Sequence, residues 1–187
     1  MIKKIIKNNV FVLILLIVIT LSAAYYLYNQ EITLLKIIDY KENNIIWEAE
    51  VVEGDQFTIK YLHSVAKTPV LEIFEIRKGE ILLIATEYQS YGAGLPFLNE
   101  HQYTLENNKF IIREINKKLP QILLRVSDYA LHEFIYQNKS YKLYELVSDE
   151  TLLEISTKKT NRFNYYTGEV KGWLNLKTKN ILKKTNF

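Results

Sequence analysis

The chain has no cysteine. That excludes a disulfide framework, thiolate metal sites and a cysteine nucleophile. An exported protein without cysteine must hold itself together by its core alone. Histidine is nearly as scarce, with three in 187 residues: His63, His101 and His132. With Glu72, Glu100 and Glu133 they could build a metal site only by distant convergence, because no local ligand spacing supports one. There is no Gly-x-Ser-x-Gly nucleophile elbow. Neither an internal repeat nor a low-complexity tract occurs. Gly92-Ala93-Gly94 is no dinucleotide fingerprint, since Leu95-Pro96 interrupts it and no helical pattern follows. No cofactor, no bound metal and no nucleic-acid partner are expected, no catalytic residue is named, and the balance leans against an enzyme.

What is present has the apolar and charged fractions of a folded domain, 48% and 24%, so wholesale disorder is not expected. The length suits one ordinary domain. Charge is distributed unevenly under a formal total of +3. Lys3, Lys4 and Lys7 open the chain, and residues 158–187 carry eight basic side chains against one acidic, Glu169. Removing both groups from the total leaves −7 for residues 10–157. The chain thus reads as an acidic body with a solvated basic tail, or as a tail that touches anionic lipid or the acidic body of a partner.

Val10 to Tyr28 is 19 residues without a charge. As a helix it spans about 28 Å, close to the ~30 Å hydrocarbon core of a bilayer. Lipid offers backbone groups no partners, so such a segment must be helical. The lysines ahead of it, against mixed charges in Asn29–Asn43, predict an N-terminus inside and the rest outside. Tyr25, Tyr26 and Tyr28 cluster at the exit, where aromatic belts form. A cleaved signal peptide competes with this reading, with cleavage at Ser22-Ala23-Ala24. The apolar run continues past that point, which favours an uncleaved anchor; cleavage would give a secreted protein. The expected organisation is a cytoplasmic terminus (1–9), a membrane anchor (10–28), a β-rich extracytoplasmic domain (30–157) and a basic extension (158–187).

Beyond the anchor, β-branched and aromatic residues dominate in short runs. Thr33–Asp39 and Ile45–Val52 read as first strands, with a turn at Glu53-Gly54-Asp55. Phe57, Ile59, Tyr61 and His63 then alternate with polar neighbours, the period of a half-buried strand. Pro69–Arg77 and Ile81–Tyr88 read as strands joined at Lys78-Gly79. Ser90–Pro96 is a loop by composition. Phe110–Ile115, Ile122–Val126, Leu131–Tyr136, Tyr141–Val147 and Leu152–Thr157 follow, and Arg162–Tyr166 could be one more. Closely spaced short strands without a long helical pattern predict an all-β antiparallel sandwich or open barrel.

Pairing the first hairpin so that its apolar faces coincide sets His63 opposite Val70, Tyr61 opposite Glu72, Ile59 opposite Phe74 and Phe57 opposite Ile76. His63 and Glu72 then point inward as diagonal neighbours, about 7 Å or less apart at Cβ. A buried carboxylate needs a partner, and His63, Tyr61 and Tyr103 are candidates. The pair either pins the register or lines a pocket in which the glutamate orients or protonates the imidazole. Ser64 points to the opposite strand face and cannot use His63 as its base. Gly92 and Gly94 could offer backbone N–H groups to an anion, or simply supply a tight connection.

His63-Ser64-Val65, then Thr68-Pro69-Val70-x-Glu72, then Gly92-Ala93-Gly94-Leu95-Pro96 resemble the signature of DUF1850, a bacterial family of unknown function. Leu124-Arg125-Val126 and the hairpin after His132 resemble its C-terminal part, so the resemblance spans about residues 46–157 and adds Arg125 to the ligand-binding candidates His63, Glu72, Tyr61, Gly92 and Gly94. Such proteins usually carry an N-terminal export segment. Their genes often lie beside tripartite (TAXI-type TRAP) solute transporters. The resemblance thus implies an accessory role in solute uptake, with transporter subunits or a solute-binding protein as partners. Residues 158–187 depart from the family pattern. Two further roles stay open beside it: a small-ligand binder around His63, Glu72 and the Gly92–Pro96 loop, and an exported hydrolase using His63 and Glu72 as acid and base.

Overall fold

The computed structural model describes residues 2–89 and 103–168, with side chains from residue 9 onward. Helix α1 (Ile2–Asn29) opens the chain. Its Asn9–Asn29 stretch has a mean hydropathy of 2.6 and no residue buried against protein, so it is long and apolar enough to cross a membrane. Nothing in its sequence interrupts it. The helix ends where the apolar run ends, and the Gln30 N–H closes the last turn on the Tyr26 carbonyl at 3.1 Å.

Twelve strands follow among the described residues. The first five are β1 (Glu31–Asp39), β2 (Ile45–Val51), β3 (Gln56–Leu62), β4 (Pro69–Arg77) and β5 (Glu80–Tyr88). Next come β6 (Tyr103–Glu106), β7 (Lys109–Ile112), β8 (Lys117–Leu119), β9 (Ile122–Arg125), β10 (Glu133–Tyr136) and β11 (Lys139–Lys142), then a helical turn α2 (Leu143–Leu146) and β12 (Leu152–Asn161). They form two sheets. One runs β2-β1-β12-β9; the other runs β11-β10-β3-β4-β5-β7-β6, with β8 also on β5. Every pairing with a resolved register is antiparallel, as the all-β sandwich expectation requires.

Turn chemistry fixes the hairpins. Asp39 Oδ1 accepts from the Lys41 and Glu42 N–H groups, both at 2.9 Å, and Asn43 takes a positive φ of 55° to return the chain into β2. Lys78 and Gly79 both have positive φ, 56° and 74°, the signature of the two-residue turn that matches strand twist. Asp55 Oδ2 closes the preceding turn on the Val52 N–H and also accepts from the Tyr136 hydroxyl at 2.9 Å. That contact ties β10 to the start of β3.

The core lies between the sheets. Leu35 and Ile37 from β1, and Leu153 and Ile155 from β12, are fully buried with Phe57, Ile59, Phe74, Ile76 and Phe134 of the opposite sheet. Phe57 and Phe74 stack at 4.9 Å, and Trp47 of β2 covers Phe134 at 4.7 Å. Two expectations fail locally. Tyr141–Val147 is not one strand: pairing stops at Lys142 and Leu143 turns into α2, its N–H bonded to the His132 carbonyl so that its side chain drops into the core. Residues 162–168 are helical rather than extended, because Asn161 Oδ1 caps the Asn164 N–H at 2.7 Å and starts a helical turn.

The chain divides into two compact units. Thr33–Lys158 holds the sandwich, while residues up to Ile32 form the other unit together with those from Lys159.

Candidate functional site

Strand β3 enters the core as Phe57, Ile59 and Tyr61 on one face, and β4 runs back as Val70, Glu72 and Phe74. The register is Tyr61↔Val70, Ile59↔Glu72 and Phe57↔Phe74. This is two residues away from the pairing that brings His63 opposite Val70. A shift of two leaves every side chain on its own face, so matching apolar faces could not distinguish the two. The turn does: the His63 N–H bonds to the Thr68 carbonyl, and the Lys67 N–H returns to the His63 carbonyl, both at 3.0 Å. These bonds make His63 and Thr68 the closing pair.

His63 therefore leaves the strand. It stands four residues beyond Ile59, the partner of Glu72, roughly 13 Å along the strand. Its Nδ1 accepts from the Val65 and Ala66 N–H groups, at 3.2 and 3.1 Å. The imidazole caps the turn, which gives the His-Ser-Val stretch a structural rationale. The expected His63–Glu72 pair does not form, and the same separation removes the basis for using the two as acid and base on one substrate.

Tyr61 takes the place expected of His63. It is the diagonal neighbour of Glu72 on the inner face, and its hydroxyl hydrogen-bonds the carboxylate. Burial pushes the Glu72 carboxyl above its usual range, and the Tyr61 hydrogen bond offsets part of that rise. Burial, then the charge of Glu72 and the hydrogen bond to it, push the Tyr61 phenol up to about 12. Both shifts have the sign expected for acids taken out of water.

Two more polar residues join the row. Thr86 lies directly opposite Glu72 on β5 and is buried. His132, just before β10, is buried with its ring 5.7 Å from that of Tyr61. Its Nδ1 accepts from the Ser127 N–H at 3.2 Å, so it caps a turn as His63 does, and burial lowers its pKa. The two capped turns meet: the Leu62 N–H bonds to the Ala130 carbonyl at 2.7 Å, the Tyr129 hydroxyl donates to the Ser64 carbonyl at 3.3 Å, and the Lys67 ammonium sits 3.7 Å over the Tyr129 ring.

His132, Tyr61, Glu72 and Thr86 thus form a polar row that runs from the residue before β10 across β3, β4 and β5. Tyr61 packs against both the main core and a smaller cluster of Val70, Tyr88 and Ile112, backed by Phe110 and Ile115. The row offers one acidic group, two hydroxyls and an imidazole, all half-buried or buried. Such a set can hold a small polar molecule by donors and acceptors, and it can neutralise a cationic group. Among the described residues, no three His, Asp or Glu side chains converge as metal ligands.

Of the residues singled out from sequence, Tyr61 and Glu72 come together. Arg125 does not join them. It is exposed on β9 of the other sheet, with its guanidinium donating to the Glu150 carbonyl at 2.9 Å. Gly92 and Gly94 lie outside the described residues. Thr86 goes unread from the sequence, and His132 is read there only as a distant metal-ligand candidate. Their place in the row depends on β10 pairing with β3 and β5 with β4, and neither residue carries a local signal beyond its type.

Residues 57–143 match the family model for DUF1850, described as a domain of unknown function. The match is narrower than the motif resemblance. It takes in the larger sheet, β8, β9 and the polar row, whereas β1, β2 and β12 of the covering sheet lie outside it. No curated protein and no solved structure matches the chain. Residues 57–143, which hold the larger sheet, are thus similar to the DUF1850 family.

Proposed function

We propose that the chain is a membrane-anchored accessory module, held outside the membrane by α1 and assisting a solute transporter by contact with its subunits or its solute-binding protein. The observation that carries the anchor is the Asn9–Asn29 stretch, unburied along its length and joined to β1 through Gln30 alone. An apolar surface of that size is unfavourable in water and favourable in lipid. The lysines before it support an N-terminus inside; cleavage at Ser22-Ala23-Ala24 would instead release the domain. The transporter link rests on the genetic setting that the DUF1850 resemblance implies. Cross-linking in intact membranes, followed by pull-down of the full chain, should recover transporter subunits or a solute-binding protein. Recovery of neither, from cells that express the transporter, overturns this reading.

A second reading has its own observation. Glu72 is held half-buried with a raised pKa at the centre of a polar row, an arrangement that costs stability unless something repays it. A small-ligand site there would be stabilised by its ligand through mass action. A thermal-shift screen of organic acids and sugars should find a compound that raises Tm, and Glu72→Ala should remove the shift while retaining the fold. A screen without any shift counts against the site.

A further inference from the structure

Within the unit that contains α1, the chain returns to the end of the helix. The Arg162 N–H bonds to the Gln30 carbonyl at 2.9 Å, and the Phe163 ring lies 5.9 Å from that of Tyr28. Lys159 Nζ sits 3.7 Å from the Glu31 carboxylate. Residues 162–168 are thereby fixed at the helix exit. They are helical, so Phe163 and Tyr166, three apart, share a face, and both rings are about half exposed, at 48% and 52%. Tyr25, Tyr26 and Tyr28 on α1 are exposed too.

Tyr28 and Phe163 therefore join exposed aromatic surface from two distant parts of the sequence, with Tyr25 one turn before Tyr28 on the same helix face and Tyr166 beside Phe163. Monomeric soluble surfaces rarely keep a contiguous apolar patch without a partner. Tyrosine at the end of a membrane helix favours the headgroup layer. If α1 spans the hydrocarbon, Tyr28 sits at that layer, and the Tyr28–Phe163 contact sets Phe163 at the same depth. Charge points to the kind of surface: among the described residues 158–168, Lys158, Lys159 and Arg162 are basic and none is acidic, which favours anionic lipid.

We propose that residues 162–168 are a second membrane contact, an interfacial foot that lays Phe163 and Tyr166 into the headgroup layer of an anionic bilayer beside the exit of α1. The proposal rests on the anchor reading above and goes beyond it. One crossing helix fixes the chain to the membrane but leaves it free to swivel. A foot set to one side of the helix axis removes that freedom.

The absence of cysteine makes the test direct, because each introduced thiol is the only one. The full chain would be reconstituted in vesicles of phosphatidylcholine with phosphatidylglycerol, carrying a nitroxide at Tyr166→Cys, Leu15→Cys or Lys139→Cys. Collision with oxygen and with a water-soluble nickel complex reports depth. The label at Tyr166 should lie in the headgroup layer, Leu15 in the acyl interior and Lys139 in water. Pure phosphatidylcholine should shift the Tyr166 label outward and leave Leu15 unchanged. A Tyr166 label as open to nickel as Lys139, with Leu15 still in the acyl interior, overturns the foot alone. A Tyr166 label shielded from both reagents points to a protein partner and overturns the lipid assignment. A Leu15 label in water removes the anchor itself, and the foot with it.

Discussion

Aromatic residues occupy two opposite environments in this chain. Inside the sandwich, Phe57, Phe74 and Phe134 are almost wholly buried, Trp47 and Tyr141 pack against Phe134, and Tyr136 packs against Trp47. In the unit containing α1, Tyr25, Tyr26, Tyr28, Phe163 and Tyr166 stand in the open. Ring contacts occur in both places, at 4.9 Å for Phe57–Phe74 and 5.9 Å for Tyr28–Phe163. What differs is the enclosure. The first set is surrounded by aliphatic side chains from two sheets. The second has only itself, so ring proximity there says little about folding energy and more about what the rings meet outside the protein.

The most forceful way to break this comparison is at its centre. Phe134→Ala removes a ring buried between two sheets and should cost about 3–5 kcal/mol, enough to unfold a marginal domain; urea denaturation would measure it. A loss under ~1 kcal/mol would mean that the two aromatic sets are less different than burial suggests.

A smaller effect is expected at the polar edge of the core. The pKa of His132 is depressed by burial below its ordinary 6.5, so the unfolded chain binds its proton more readily. Its contribution is present above that value and is lost as pH falls through the depressed one. His132→Asn keeps an acceptor for the Ser127 N–H without a titrating ring. Its Tm should fall less steeply than that of the parent below pH 6.5, by a few degrees. Parallel curves would show that His132 does not titrate on unfolding.

Glu72 has the reverse sign. Its raised pKa makes folding favour the protonated form, so the penalty is absent in acid and grows as pH rises past the ordinary 4.5 into neutrality. Glu72→Gln should raise Tm at pH 7 by a few degrees, with less gain at pH 4. A gain of equal size at both pH values would locate the cause in packing rather than charge. The smallest effect belongs to the exposed set. Phe163→Ala should change urea stability by no more than about 0.5 kcal/mol, and a larger loss would show that Phe163 contributes to folding.

The sandwich was legible because period two, Lys78-Gly79 and Glu53-Gly54-Asp55 are local signals, and the structure repeats them as strands and turns. The site was legible only in part. Tyr61 and Glu72 stand out as polar residues on an apolar face, whereas the identity of the partner depended on register. Face matching cannot see a two-residue slip, and the bonds closing the His63–Thr68 turn set it. The strands β6 and β8 were missed because Tyr103–Glu106 is exposed throughout and Lys117–Leu119 is short and basic, so neither shows an inward face. Arg162–Tyr166 misled because aromatic residues suggest a strand, while the Asn161 cap decides for a helix.

The order β2-β1-β12-β9 has a consequence in time. The first strand made after the helix has one flank filled by β2, its immediate successor. The other is filled by β12, which is synthesised after the rest of the sandwich. Contacts so distant in sequence are slow to form, and until they do β1 presents an open edge able to pair with the wrong chain. During synthesis the sandwich cannot close until residue 161 has emerged, so a chain stalled or cut before β12 would leave an open sheet edge rather than a smaller version of the domain.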